Sequence, residues 1–319
     1  MASVLSDCGV DLDMAHRVNL VLHYVLFIPA LLLNIMAAWI SWKLKNKSSF
    51  IVYLKNLVAA DLLMTLTLPV TAADWIPGVP VALKAYNCQF GRVFFYLCMY
   101  VSIVLMGVIS LDRFFKIVQP GGKRLGQSAL FGKVVCAGIW IVLFSIQAVP
   151  TMVLTNIPPP ANSSTRGLCM GMKADMGKQY HEGIITFYNI VFFVVLIIIG
   201  FCYICIAKRV IESHRNSGSV NGDGKRKIKA RVFIVLVVFL VCFAPYHITR
   251  LLYVPQQMKN KMNCQYFSMN VAKKMTLWLA TTNICLDPLI YILLCKAFRK
   301  KFYELKTPSS RPNTSTEDI

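Results

Sequence analysis

In this sequence His247 and Arg250 are three apart, a spacing that puts an imidazole and a guanidinium on one face of a helix, with Tyr246 and Tyr253 flanking them on adjacent turns. Further along, Lys273 and Lys274 stand side by side, and Arg92, Tyr96 and Tyr100 recur every fourth residue. His181, Lys173 and Gln257 complete the candidate set. Together these groups suit an anion with a planar part. Arginine offers phosphate oxygens a bidentate fork and lysine a point charge, while a tyrosine ring offers a face to a base. The competing reading is that the long basic side chains snorkel to lipid headgroups near the ends of membrane spans. That reading suits Lys259 and Lys261. It suits Arg250 less, because its companions His247 and Tyr253 would make a costly lipid-facing polar stripe.

The membrane enters because the elements carrying these residues are apolar. The 319 residues are 56% hydrophobic, with a mean hydropathy of +0.58, above the ~45–50% apolar content of soluble domains. Apolar stretches long enough to cross ~30 Å of hydrocarbon as helix fall at 20–42, 51–73, 89–111, 133–154, 184–207, 231–253 and 275–295. Short polar connections with helix breakers separate them, including Pro77–Gly78–Pro80, Pro120–Gly122, Pro158–Pro160 and Gly218–Gly224. The reading is an all-α, seven-transmembrane helix bundle. Its parts are an extracellular N-terminus (1–19), the bundle (20–295), an amphipathic membrane-surface helix (296–306) with Phe298 and Phe302 on one face, and a disordered cytoplasmic tail (307–319).

The net charge of +20 is spread between the spans and does not form one patch, which excludes a nucleic-acid-binding domain. With the N-terminus outside, twenty-one Lys/Arg lie on the inner segments and nine on the outer ones, the positive-inside bias. No secretory signal precedes the first span, since Asp7, Asp11 and Asp13 occupy the start. Seven of the eleven cysteines fall in or beside spans; Cys8, Cys88, Cys169 and Cys264 face the oxidising side, where three pairings are open. Asn162-Ser163-Ser164 is a glycosylation acceptor on that side.

Ionisable groups at span depth cost at least ~2.5–3.5 kcal/mol and ask for a reason. Asp61 lies in the second span, Asp112-Arg113 ends the third, and Asp287-Pro288-Leu-Ile-Tyr291 lies in the seventh. With Asn34 in the first span, Trp140 in the fourth and Cys242-Phe-Ala-Pro245 in the sixth, this series resembles the rhodopsin-like (class A) G-protein-coupled receptors, in order and across nearly the whole chain. Phe114 after Asp-Arg, Phe243 before Ala-Pro, Asp287, Tyr246-His247-Ile-Thr-Arg250 and Lys273-Lys274-Met-Thr-Leu-Trp narrow the likeness. They resemble the nucleotide-sensing purinoceptors, in the subgroup that answers ADP or UDP-sugars through an inhibitory G protein.

The resemblance implies roles. Arg113 is held by Asp112 at rest and released toward the G protein, with Pro245, Asp287, Pro288 and Tyr291 in the switching machinery. Asp61, Ser102, Asn283 and Asp287 form the cluster that takes a sodium ion in the resting bundle; no other cofactor and no metal site is expected. Arg250, Lys273, His247 and Tyr253 correspond to phosphate-binding positions and Tyr96 to the base-stacking one. Cys88 pairs with Cys169 and Cys8 with Cys264. Three positions depart from the adenine-reading pattern: Ile185 and Thr151 each replace an asparagine, and Lys274 replaces a glutamate. The ligand expected is therefore ADP-like or UDP-sugar-like, with a lysophospholipid or other phosphorylated anion as the alternative.

Other classes fit poorly. No phosphate loop, His-Glu-x-x-His helix or Gly-x-Ser-x-Gly elbow is present, so an enzyme is not expected. Paired repeats with interrupted helices, the mark of a transporter, are not apparent. On the inner side Arg113, Lys225–Arg231 and Lys296–Lys301 read as the G-protein contact, the two basic runs equally as lipid-attracted segments. Ser309, Ser310, Thr314, Ser315 and Thr316 are candidate phosphorylation sites, which with arrestin and receptor kinases would end the signal.

Overall fold

The computed structural model describes residues 12–45, 48–73, 76, 78–118, 128–159, 168–216, 222–258 and 264–306. Among them all regular structure is helical, and seven helices are long and apolar enough to cross a bilayer. They are α1 (Leu12–Trp42), α2 (Ser49–Ala73), α3 (Val81–Val118), α4 (Ala129–Val153), α5 (Asp175–Asn216), α6 (Gly222–Met258) and α7 (Cys264–Leu293). A single helical turn, Leu168–Gly171, lies between α4 and α5, and α8 (Lys296–Lys306) follows the last span.

Several helices outrun the apolar stretches that announced them. α5 begins at Asp175, ahead of the expected 184, and α7 at Cys264, ahead of 275. Likewise α6 begins at Gly222, inside the segment read as a loop. Apolar runs measure the thickness of hydrocarbon, whereas helical hydrogen bonds continue into the interface for as long as no breaker stops them. As a consequence His181 and Lys273 lie well inside their helices, not at the helix openings.

The interior is organised around α3, whose most apolar stretch is 78% buried. Elsewhere the bundle turns apolar residues outward, among them Leu32, Trp39, Ile141 and Ile197, as a helix bathed in lipid does. Small residues set the closest approach. A Cβ on Gly132 of α4 would lie 2.9 Å from the Ser49 Cα and 3.2 Å from the Ser49 carbonyl oxygen of α2, so glycine alone lets these backbones touch.

A proline inside the last span leaves a carbonyl that another helix's side chain takes up. Pro288 has no N–H to give to the carbonyl of Ile284 four residues earlier. The amide of Asn34, buried in α1, donates to that oxygen at 2.9 Å. α8 is amphipathic, with Phe298 fully buried against the Tyr291 ring at 5.8 Å. Its Lys301–Glu304 pair, 2.7 Å apart, is exposed.

Candidate functional site

At one end of the bundle the Cys88–Cys169 disulfide, with Cα atoms 5.1 Å apart, ties α3 to the turn Leu168–Gly171. Beneath it opens a cavity of ≈ 900 Å³ of atom-free space, counting its open mouth. Four cationic side chains line it: Arg92 from α3, Lys173 from the loop before α5, Arg250 from α6 and Lys273 from α7. No acidic side chain is among the described residues that line it.

Tyrosines hold two of the four cations, Arg250 and Lys273, in place. Arg250 is only 7% exposed, and its Nη1 donates to the Tyr100 hydroxyl at 2.6 Å. Its guanidinium also lies 5.3 Å from the Tyr96 ring centre and 5.5 Å from that of Tyr246. The Lys273 ammonium sits 3.9 Å over the ring of Tyr253, whose hydroxyl is fixed by Tyr266 at 3.2 Å and Asn270 at 3.3 Å. Arg92 Nη1 lies 3.3 Å from the Cys169 sulfur. Lys173 is buried and donates to Thr155 Oγ1 at 2.5 Å. Burial pushes its ammonium down to about 8, because desolvation disfavours the charged form. Arg250 thus lies inside the bundle, not at the lipid face.

Nine of the eleven candidate ligand residues line this cavity: Arg250, Lys273, Tyr253, Tyr96, Tyr100, His181, Arg92, Lys173 and Gln257. Two do not. Lys274 points toward α1, where its ammonium donates to His16 Nε2 at 2.6 Å. Neighbouring helix positions point about 100° apart, and here that rotation carries Lys274 to His16 while Lys273 lines the cavity. His247 is completely buried one layer below, its ring stacked on Phe192 at 3.9 Å and its Nε2 3.3 Å from the Tyr100 hydroxyl.

Two polar cavity residues, Tyr188 and Gln147, escaped the sequence reading. Tyr188 of α5 stacks on Tyr100 at 3.7 Å and donates to Gln147 Oε1 of α4 at 2.7 Å. Gln147 Nε2 in turn donates to the Val93 carbonyl of α3 at 3.3 Å. A glutamine within an apolar span was the available signal, since an amide at that depth needs partners. Thr151 and Ile185, the two departures from the adenine-reading pattern, both face the cavity.

At the opposite end of the bundle, Arg113 Nη2 meets Asp112 Oδ2 at 2.6 Å. Lys116 shares that oxygen at 3.0 Å, and Ser49 donates to Oδ1 at 2.8 Å.

Known proteins are similar to this chain over most of its length. The family described as "7 transmembrane receptor (rhodopsin family)" matches residues 18–291. Purinoceptor 13 of Homo sapiens is 38% identical over 315 residues, 97% of this chain and 88% of that protein. Purinoceptor 14 of Bos taurus is 36% identical over 280 residues, covering 88% and 82%. G-protein coupled receptor 87 of Mus musculus is 35% identical over 300 residues, covering 94% and 82%. The chain belongs to the purinoceptor group of the rhodopsin family. It is therefore a multi-pass cell-membrane receptor and not an enzyme.

Midway along this purinoceptor's bundle lies a second polar cluster. Asp61, fully buried, accepts from Ser102 at 3.4 Å and from the Tyr291 hydroxyl. Asn283 donates to Asp287 Oδ2 at 2.7 Å. Asp61 and Asp287 are both fully buried, and buried carboxylates call for a compensating partner. Asp287 Oδ1 and Asn283 Oδ1 are buried without a donor. Such hard oxygen donors fit a small hard cation.

The second expected disulfide is described at one end only. Cys264 is disulfide-bonded, while Cys8, its expected partner, lies outside the described residues. So do Asn162 and the tail serines and threonines, as do the side chains of Lys225–Arg231.

Proposed function

We propose that this receptor binds an extracellular nucleotide, ADP-like or UDP-sugar-like, through its phosphates, and signals through a G protein of the inhibitory class. The disulfide end then faces outside, and the Asp112–Arg113 end meets the G protein. One observation carries the reading: four cations converge from three helices and a loop on a cavity with no acid among its described lining residues. A polyanion entering there gains charge-assisted hydrogen bonds in a water-poor site, and the relatives' name, purinoceptor, points to the same chemistry. Arg250 and Lys273 hold the phosphates, with Tyr96 under the base. Asp61, Ser102, Asn283 and Asp287 take a sodium ion in the resting bundle, a hard cation that their unpartnered oxygens suit. When bound, it would supply the positive charge that lets both carboxylates remain ionised.

A second reading has its own support. Ile184, Ile185 and Val254 form an apolar flank beside the cations, and such a flank suits the acyl chain of a lysophospholipid whose phosphate uses the same Arg250 and Lys273.

The test is a double-mutant cycle. Arg250→Ala and Lys273→Ala should each weaken ADP and UDP-glucose by roughly ten- to a hundredfold, the loss of a charge-assisted partner. Because both grip one anion, the double mutant should be less impaired than the two losses combined. Adenosine and uridine should be indifferent to both changes. Equal losses for phosphorylated and dephosphorylated ligands refute the phosphate reading, and a receptor answering lysophosphatidic acid alone selects the lipid one. Ligand-driven nucleotide exchange on purified inhibitory-class and other Gα subunits tests the coupling.

A further inference from the structure

The residue under Arg250 does more than line the cavity. Tyr100 is completely buried, and its hydroxyl touches two groups of α6: the guanidinium of Arg250 at 2.6 Å and Nε2 of His247 at 3.3 Å. On its other side, His247 Nδ1 is 2.9 Å from the Phe243 carbonyl oxygen. A carbonyl can only accept, so Nδ1 carries the proton and Nε2 of the neutral ring accepts from Tyr100. The donors then run one way, from Arg250 to Tyr100, from Tyr100 to His247 and from His247 to the α6 backbone at Phe243, just below Pro245. Stacking fixes the chain laterally, with Tyr100 on Tyr188 at 3.7 Å and His247 on Phe192 at 3.9 Å.

We propose that the Tyr100 hydroxyl is a latch between α3 and α6, closed by Arg250 in the resting receptor and opened when an anionic ligand takes Arg250 away. The inference rests on the reading of Arg250 as a phosphate contact. The ligand competes with a hydroxyl for one guanidinium, and the guanidinium has somewhere to go, since Tyr96 and Tyr246 offer ring faces on either side at 5.3 and 5.5 Å. Losing its donor, Tyr100 no longer binds the two α6 groups together, and the helix is freed where Pro245 already interrupts its hydrogen bonds. Arg113 lies on Asp112 in the same structure, so the closed latch and the closed ion pair at the other end occur together. Tyr100 on this account is a positioning residue, acting on the ligand through Arg250.

Tyr100→Phe separates this from a structural role, because it keeps the ring on Tyr188 and removes only the hydroxyl. Ligand-free nucleotide exchange on the G protein should rise severalfold at equal surface expression. ADP and UDP-glucose should gain potency by up to about tenfold, since a hydrogen bond to a charged group no longer has to be given up. Adenosine and uridine should be unmoved. Arg250→Ala should raise ligand-free exchange too, and in that background Tyr100→Phe should add nothing. Should Tyr100→Phe fail to reach the surface, ligand-free exchange of Arg250→Ala and Arg250→Lys decides between the same two outcomes. Exchange at the wild-type level in Tyr100→Phe and Arg250→Ala overturns the latch, even if Arg250→Ala weakens the phosphorylated probes. Undiminished potency of those probes in Arg250→Ala overturns the phosphate reading instead.

Discussion

Arg113 folds its guanidinium back onto its own neighbour Asp112, with Nη2 2.6 Å and Nε 3.2 Å from Oδ2, and rests 3.7 Å over the ring of Phe50. Two helices therefore restrain one arginine: its own through Asp112, and α2 through the ring of Phe50 and through Ser49, which steadies the carboxylate at 2.8 Å. Asp112→Asn removes the charge while keeping a side chain of similar size. Hydrogen bonds to charged groups contribute ~1.5–3 kcal/mol, and Arg113 is 22% exposed, so the lower end applies. Ligand-free nucleotide exchange should rise by roughly tenfold at most.

Arg113→Ala should do the reverse and abolish ligand-stimulated exchange at equal surface expression. Exchange that survives this change would remove Arg113 from the coupling machinery and leave the Asp112 contact a purely structural one.

Gly132 bears on the same end of the molecule, since a Cβ there would strike the backbone of Ser49. Gly132→Val should cost about 1–3 kcal/mol by overpacking, seen as lower thermal stability of the detergent-solubilised receptor. By displacing Ser49 it should also raise ligand-free exchange. Gly138, whose added Cβ would meet nothing within 4 Å, supplies the control: Gly138→Ala should change neither quantity.

Lys173 should make ligand potency depend on pH. Its ammonium is pushed down to about 8 by burial, so it is charged below that value and neutral above it. Phosphate groups are already fully ionised there, their second pKa being ≈ 6. Potency of ADP or UDP-glucose should therefore fall as the pH rises from about 7 to about 9, through that value. Lys173→Arg should flatten the profile, because arginine stays charged throughout. An identical profile in wild type and Lys173→Arg would place the titrating group elsewhere.

The parts of the site legible in the sequence were those whose side chains are expensive in a membrane. Arg250, Lys273, Asp61 and Asp287 each demand a partner at their depth, and that demand pointed inward. Phase was harder to read. α5 is apolar nearly all round, so nothing in its composition said that Tyr188 faces Tyr100 while Phe187 is exposed. The pair Lys273-Lys274 could be located but not divided, because which of two adjacent residues faces inward depends on the rotation of α7. His247 shares a face with Arg250, yet it lies one turn deeper, below the cavity. Helix ends were misjudged for a further reason: the lipid fixes where apolar runs stop, while the loops and disulfides fix where helices stop.

Two of the cavity's walls contain a turn wound more widely than the rest, Asn87–Gly91 in α3 and Phe144–Ala148 in α4. Such a turn holds one residue more than an α-helical turn, and one residue is about 100° of azimuth. The two halves of each helix are thus spliced out of step. In α4 the splice decides which side chain beyond it looks inward, and Thr151 owes its place on the wall to it. Deleting a single residue from Phe144–Ala148 would leave the helix unbroken and its hydrogen bonds intact, yet would rotate Thr151 away and bring a different neighbour to the wall. Point substitution is therefore only one way in which relatives of this receptor could acquire a new ligand; the length of a turn is another, and it changes the wall without changing its composition.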